Sequence, residues 1–152
     1  MDISVVLPCL NESETLGTCI KKAKNQIKKL GIKGEIIIAD NGSNDGSINI
    51  ARKLGAIVIN VKNKGYGNVL RAGIRKARGK FILIADSDDS YNLNDLPKFY
   101  RKIAKGYDIV QGCRLPKGGG KITSGAMPIT HRYIGNPLFS FLTKILYQIP
   151  FN

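Results

Sequence analysis

Asp86 and Asp88, separated by Ser87, are the residues in this chain best suited to holding a cation. They follow the apolar run Phe81, Ile82, Leu83, Ile84 and Ala85, which predicts a short buried strand ending at the surface. Along an extended backbone, side chains at i and i+2 point the same way, so the two carboxylates can converge. Carboxylates that close repel one another unless a cation lies between them. Hard oxygen donors favour Mg²⁺ or Mn²⁺, which keep several waters and combine one or two carboxylates with substrate phosphates. The alternative is a polar turn in which Asp88, Asp89 and Ser90 cap the next helix.

The elements around this stretch favour the site. Ile3 to Leu7 predicts a strand closed by Pro8, followed by Asn11 as an N-cap and Glu14 completing a capping box. Leu16, Ile20, Ala23, Ile27 and Leu30 then mark the apolar face of a helix ended by Gly31 and Gly34. The pattern continues with a strand over 35–39, a helix through Ile48, Ala51 and Leu54, a strand over 56–61 and a helix over 69–77. After the central strand 81–85 come a helix from about Leu93 to Ala104 and a strand over 108–111. Alternating strands and helices predict an α/β fold, a Rossmann-like, mainly parallel sheet with helices on both faces. Such sheets bind ligands beyond the carboxyl ends of their strands. Four of these ends carry polar groups: Asn11 and Glu12, Asp40 and Asn41, Asp86 to Asp89, and Arg114.

The 152 residues and a hydrophobic fraction of 43% suit one globular domain spanning 1–152. Lys and Arg number 24 against 11 acids, a net charge of +13, which calls for an anionic partner. From Lys98 onward the bases Arg101, Lys102, Lys105, Arg114, Lys117, Lys121, Arg132 and Lys144 face the single acid Asp108, so the anion is expected there. Aromatic residues are only 7% and no stacking motif is interleaved with the basic ones, which argues against nucleic acid. Cys9, Cys19 and Cys113 read as reduced thiols, and His131, the single histidine, excludes a His-rich metal site. Met1 and Asp2 run straight into a strand, so no signal peptide is expected, and no apolar run reaches the roughly 18 residues of a transmembrane helix.

Two segments carry further expectations. Lys64, Gly65 and Gly67 form a basic loop before a helix, either touching phosphates or simply exposed. Leu138, Phe139, Leu142, Ile145, Leu146 and Ile149 recur at helical spacing within 131–149, as a core helix or as an interfacial helix on a membrane. Gly118, Gly119 and Gly120 suggest a flexible loop or a linker.

In order and spacing, V-V-L-P-C-L-N-E, I-I-I-A-D-N-G-S-N-D-G-S, N-K-G-Y-G-N-V-L-R-A-G, A-D-S-D-D and Q-G-C-R resemble the family 2 glycosyltransferases of GT-A fold. The likeness is greatest to the polyprenyl-phosphate type, the dolichol-phosphate mannose and glucose synthases. The resemblance implies an inverting, metal-dependent transfer from a nucleotide-diphosphate sugar, UDP-glucose or GDP-mannose, to a lipid phosphate. It implies that Pro8, Leu10 and Glu12 border the nucleotide, with Asp40 and Asn41 near the base. Asp86, Ser87 and Asp88 match the DxD motif that binds metal and sugar diphosphate. Arg114 matches the acceptor-phosphate arginine, with Arg132 beside it. A location on the cytoplasmic face of a membrane follows from that acceptor. The chain departs from the family pattern in Asn41, where a second aspartate is commoner, in Ser87, often Ala in relatives, and in ending before further strands and helices that family members carry.

Three other readings remain open from the residues. A haloacid-dehalogenase-like phosphatase also places Asp-x-Asp at a strand end, but near the start of its chain. Gly65-x-Gly67 with Asp86 about 20 residues on hints at a dinucleotide-binding domain, although Leu70 takes the third glycine position. A basic module binding RNA or membrane without catalysis accounts for the charge, but not for the rim of carboxylates.

Overall fold

A computed structural model describes residues 1–112 and 130–147, with the side chains of His131, Arg132 and Tyr147 left out of the description. The chain divides into two units, Met1–Val110 and Gln111–Asn152.

In the first unit the apolar runs form strands β1 (Ile3–Cys9), β2 (Gly34–Asp40), β3 (Ile57–Asn60) and β4 (Phe81–Ile84). Between and after them lie helices α1 (Leu16–Leu30), α2 (Ser47–Lys53), α3 (Tyr66–Lys76) and α4 (Leu96–Ile103), the last preceded by a 3₁₀ turn, Leu93–Asp95. All the pairings are parallel, and the sheet order is β3-β2-β1-β4. Parallel neighbours require a crossover, which the helices supply. The parallel α/β sheet with helices on both faces expected from the sequence is the one observed.

Strand alternation sorts the core into two faces. Ile3, Val5, Leu7, Ile36 and Ile38 pack with Leu16, Ile20, Ala23 and Ile27 of α1, with Ala51 of α2 and with Leu96 of α4. Leu16 and Ile20 are fully buried, each contributing about 1.5–3 kcal/mol. Gly31, at φ 66°, closes α1 by donating its N–H to the carbonyls of Ile27 and Lys28. On the opposite face Val69 of α3 clusters with Ala39 and Val61. There Gly73 lets the helix settle directly on Val6, whose Cγ1 lies 2.4 Å from where a Cβ at position 73 would stand.

At the amino-terminal edge of the sheet a buried polar knot joins three elements. Ser4 Oγ donates to Glu35 Oε1 at 2.7 Å, and the Arg78 N–H donates to the same oxygen at 2.7 Å. Arg78 Nε and Nη2 donate to Glu35 Oε2 at 3.2 and 2.9 Å. Burial alone raises the Glu35 carboxyl, but the hydrogen bonds from Ser4 and Arg78 outweigh it and hold the group below its usual range.

Three sequence expectations are corrected. Asn11 is not an N-cap: it has a left-handed φ of 57°, α1 starts at Leu16 after Thr15, and the expected capping box is not made. Its amide is taken by the neighbouring loop, described below. Residues 108–111 form no strand, and Ile109 is 83% exposed. Among the described residues β4 therefore pairs with β1 alone, so it is an edge strand and not a central, fully buried one. Ile82 and Ile84 on its outer face are 41% and 43% exposed.

In the second unit a π-helical turn, His131–Gly135, runs into α5 (Asn136–Tyr147), within the segment expected to be helical. Leu138, Phe139, Leu142, Ile145 and Leu146 are not buried by the unit's own described residues. No helix among the described residues is long and apolar enough to cross a membrane.

Candidate active site

The carboxyl ends of β1, β2 and β4 are tied together by their loops. Backbone N–H groups of Asn11, Glu12 and Ser13 donate to Ser43 Oγ at 2.9 Å, Ser47 Oγ at 2.9 Å and Asp45 Oδ2 at 2.8 Å. In return Asn44 donates its N–H to Asn11 Oδ1 at 2.9 Å, which is why Asn11 cannot serve the helix. Asp45 also accepts from the Ser47 hydroxyl and N–H, and these bonds hold its carboxyl far below the ordinary range.

The Asp86–Asp88 turn hangs from this assembly. Ser87 is buried and its hydroxyl donates to the Pro8 carbonyl at 2.6 Å. Its own carbonyl accepts from Thr15 Oγ1 at 2.8 Å and from Cys19 Sγ at 3.5 Å. Ala85 and Ser87 thus point inward while Asp86 and Asp88 line a cleft, preserving strand alternation beyond the last residue of β4. Asp88 Oδ1 accepts from the Ser90 N–H at 2.9 Å, and Asp86 Oδ1 accepts from the Tyr66 hydroxyl at 2.8 Å. Asp89, at φ 59°, turns away to pair with Lys22 at 2.8 Å.

Pro8, Leu10, Glu12, Asn41, Asp86, Ser87 and Asp88 line this one cleft, with Cys9, Tyr66 and Val69. Asp40 is not among them. It is buried, and its carboxylate accepts from the Gly42 N–H at 3.0 Å and the Ser43 N–H at 3.1 Å, shaping the turn that carries Asn41. Asp40 instead borders a second, polar recess with Arg52 and Asn60. Lys64 and Gly65 are engaged internally: the Lys64 ammonium donates to the Asn41 carbonyl, and the Gly65 N–H donates to Asn41 Oδ1 at 3.0 Å. Arg114 and the glycine run 118–120 lie outside the described residues, as does the side chain of Arg132.

The sequence reading missed Tyr66. An aromatic between two glycines, directly after a basic loop and at a helix start, was the available signal. Partial burial of its hydroxyl and the adjacent Asp86 carboxylate push it up to about 12, so it remains a proton donor throughout the physiological range. Burial likewise raises both described thiols, Cys19 to about 11, which disfavours the reactive thiolate, and both are buried without a disulfide among the described residues. Cys113 lies outside the described residues.

The donor set fits Mg²⁺ or Mn²⁺. No group of three or more His, Cys, Asp and Glu converges among the described residues, so these residues would offer a cation the Asp86 and Asp88 carboxylates and leave other positions to phosphate oxygens and water.

The family model described as glycosyl transferase family 2 matches residues 4–149. The chain belongs to glycosyl transferase family 2. This family 2 chain is 36% identical over 146 residues to the low-salt glycan biosynthesis hexosyltransferase Agl6 of Haloferax volcanii, covering 95% of itself and 34% of that protein. It is 32% identical over 145 residues to the dolichyl-phosphate hexose transferase of the same organism, covering 95% of itself and 59% of that protein. It thus spans a third to three-fifths of these relatives. Glucosyl-3-phosphoglycerate synthase of Mycobacterium tuberculosis, solved with Mn²⁺, UDP-glucose and phosphoglyceric acid, superposes with a TM-score of 0.61 at 26% identity, over 69% of this chain and 40% of that one. Mannosyl-3-phosphoglycerate synthase from Rubrobacter xylanophilus superposes with a TM-score of 0.68 at 21% identity, over 92% and 47%, a likeness of fold. Membership of family 2 displaces the dehalogenase-like and dinucleotide-binding readings. Gly65-x-Gly67 also follows β3, where no dinucleotide fingerprint belongs.

Proposed function

We propose that the chain is the catalytic part of an inverting hexosyltransferase that moves a sugar from a nucleotide diphosphate to a polyprenyl or dolichyl phosphate. The observation that carries this reading is the Asp86–Ser87–Asp88 turn, bonded through Ser87 to Pro8 and facing the same cleft as Leu10, Glu12 and Asn41. A UDP-glucose or GDP-mannose donor suits that cleft, its nucleotide bordered by Pro8, Leu10 and Glu12 and its base approaching the turn formed by Asp40 and Asn41. Asp86 and Asp88 would hold Mg²⁺ or Mn²⁺, which when bound stabilises negative charge on the departing diphosphate.

In this reading an oxygen of the acceptor phosphate attacks the anomeric carbon from the side opposite the diphosphate. The new carbon–oxygen bond forms as the bond to the diphosphate breaks, and the nucleoside diphosphate leaves with the electron pair. That oxygen is already anionic near neutral pH, so positioning matters more than a strong base, and the guanidinium groups of Arg114 and Arg132 supply it by bidentate contact. The dolichyl-phosphate relative supports the acceptor class, and the Mn²⁺ in the mycobacterial synthase supports the metal.

Residues 1–152 are assigned to one catalytic domain, supported by the family match across 4–149. The apolar side of α5 and the basic residues from Lys98 onward suit an anionic membrane surface, at about 1 kcal/mol per basic residue close to it. The chain would then act peripherally, on the cytoplasmic leaflet.

Calorimetric titration with UDP-glucose and GDP-mannose, each with and without Mn²⁺, tests the site. Binding that depends on Mn²⁺ and disappears in the Asp86→Ala, Asp88→Ala double variant is expected. A folded wild-type chain that binds neither donor would overturn the assignment for this chain and favour a basic module without catalysis.

A further inference from the structure

Tyr66 is more than half exposed, at 58%, so burial does not account for its position. Its hydroxyl reaches Asp86 Oδ1 at 2.8 Å, across twenty residues of chain. On its amino-terminal side the backbone is held firmly. The Gly65 N–H donates to Asn41 Oδ1 at 3.0 Å, while Asn41 Nδ2 donates to the carbonyls of Val61 at 3.0 Å and Asn63 at 3.2 Å. Asn41 is 6% exposed, so its amide is spent on the loop and serves as donor and acceptor at once. Gly65 has φ 113°, a conformation that turns the chain sharply into α3 and brings Tyr66 over the cleft.

These bonds form a continuous strap from the end of β2, through Gly65 and Tyr66, to Asp86 beyond the end of β4. The two strands are not neighbours, because β1 lies between them, so the strap spans the end of β1 where the cleft opens. Asp88 accepts from the N–H of Ser90 two residues on. Asp86 lies past the last residue of its strand and is oriented by the distant Tyr66.

Resting on the metal-diphosphate reading of Asp86 and Asp88, we propose that Tyr66, set in place by Asn41, is a positioning residue. It holds Asp86 Oδ1 so that the carboxylate presents its other oxygen to the cation. A metal-ligating carboxylate that lacks such a partner must be ordered at the moment of binding, and losing a hydrogen bond of this kind typically weakens metal affinity about 10- to 100-fold. The same geometry explains Asn at position 41. A carboxylate there could still accept from Gly65, but it would confront the carbonyls of Val61 and Asn63 with a negative charge and release the strap.

The test is Mn²⁺ titration, followed by the electron paramagnetic resonance signal of the free ion, with UDP present and separately with GDP. Wild type, Tyr66→Phe, Asn41→Asp, the double variant and Asp86→Ala are compared. Tyr66→Phe keeps the ring and is expected to raise the apparent Kd for Mn²⁺ about 10- to 100-fold. Its thermal unfolding should match wild type, which separates positioning from a general loss of structure. Asn41→Asp is expected to weaken Mn²⁺ in the same direction. The double variant should bind no worse than the weaker single variant, because both substitutions break one strap. Unchanged or tighter Mn²⁺ binding in Tyr66→Phe, with binding lost in Asp86→Ala, overturns the role of Tyr66 and leaves the metal site standing. Wild-type affinity in Asp86→Ala, or no binding by wild type, overturns the metal reading and this inference with it.

Discussion

The hydroxyl of Ser87 donates to the carbonyl of Pro8 at 2.6 Å, joining two residues that lie 79 positions apart. Through this bond the turn bearing both cleft carboxylates is suspended from the end of β1, the strand beside β4 in the sheet. Replacing Ser87 with Ala removes the donor without adding bulk. Unfolding in urea should show a loss of about 1 kcal/mol. An unchanged midpoint and slope would mean that Thr15 and the backbone hold the turn unaided.

Gly73 of α3 lies directly against Val6 of β1. A Cβ at position 73 would stand 2.4 Å from Val6 Cγ1, so Gly73→Ala must displace the helix or the valine. Overpacking of this kind costs about 1–3 kcal/mol. Adding Val6→Ala makes room and should return part of the loss, which a double-mutant cycle on the unfolding midpoint measures.

Acid should unfold the chain in part through Glu35. Its folded carboxyl titrates below its unfolded value, so its stabilisation is complete above the unfolded value near pH 4.3. That stabilisation is lost as pH falls through the lower folded value. Glu35→Gln breaks the pairing with Arg78 and should cost about 1.5–3 kcal/mol at pH 7. The difference from wild type should shrink towards pH 3, as seen in denaturant midpoints across that range. A difference independent of pH would assign the effect to packing.

Arg114→Lys keeps the charge but loses the paired geometry of the guanidinium. Turnover with a polyprenyl phosphate should fall more than tenfold, while calorimetric donor affinity stays within about twofold, given the acceptor role and a bidentate contact worth more than about 1.4 kcal/mol. An equal fall in donor affinity would assign Arg114 to donor binding instead.

Much of this molecule is legible in one dimension. The runs 3–7, 35–39 and 81–85, the helical spacing of Leu16, Ile20, Ala23 and Ile27, and the polar residues at the strand ends led to the parallel α/β sheet and to a site at its carboxyl edge. Periodicity records which face of an element is buried, and that is settled within a few residues of sequence. Local signals failed where a distant partner outbid them. Asn11 and Glu14 have the spacing of a capping box, yet Asn44 takes the Asn11 side chain. Asp40 accepts from the N–H groups of Gly42 and Ser43, an internal role that its place at a strand end does not reveal.

By itself the sequence determined the order of strands and helices, the Asp86–Ser87–Asp88 motif and membership of family 2. Only the tertiary structure decided that β1 separates β2 from β4, and therefore which strand ends flank the cleft. It also decided that Tyr66, unremarkable among the glycines of its loop, meets Asp86. Element order follows from short-range patterns of burial and turn chemistry. The pairing of side chains far apart in sequence depends instead on sheet order and loop geometry, which arise only once every element has docked.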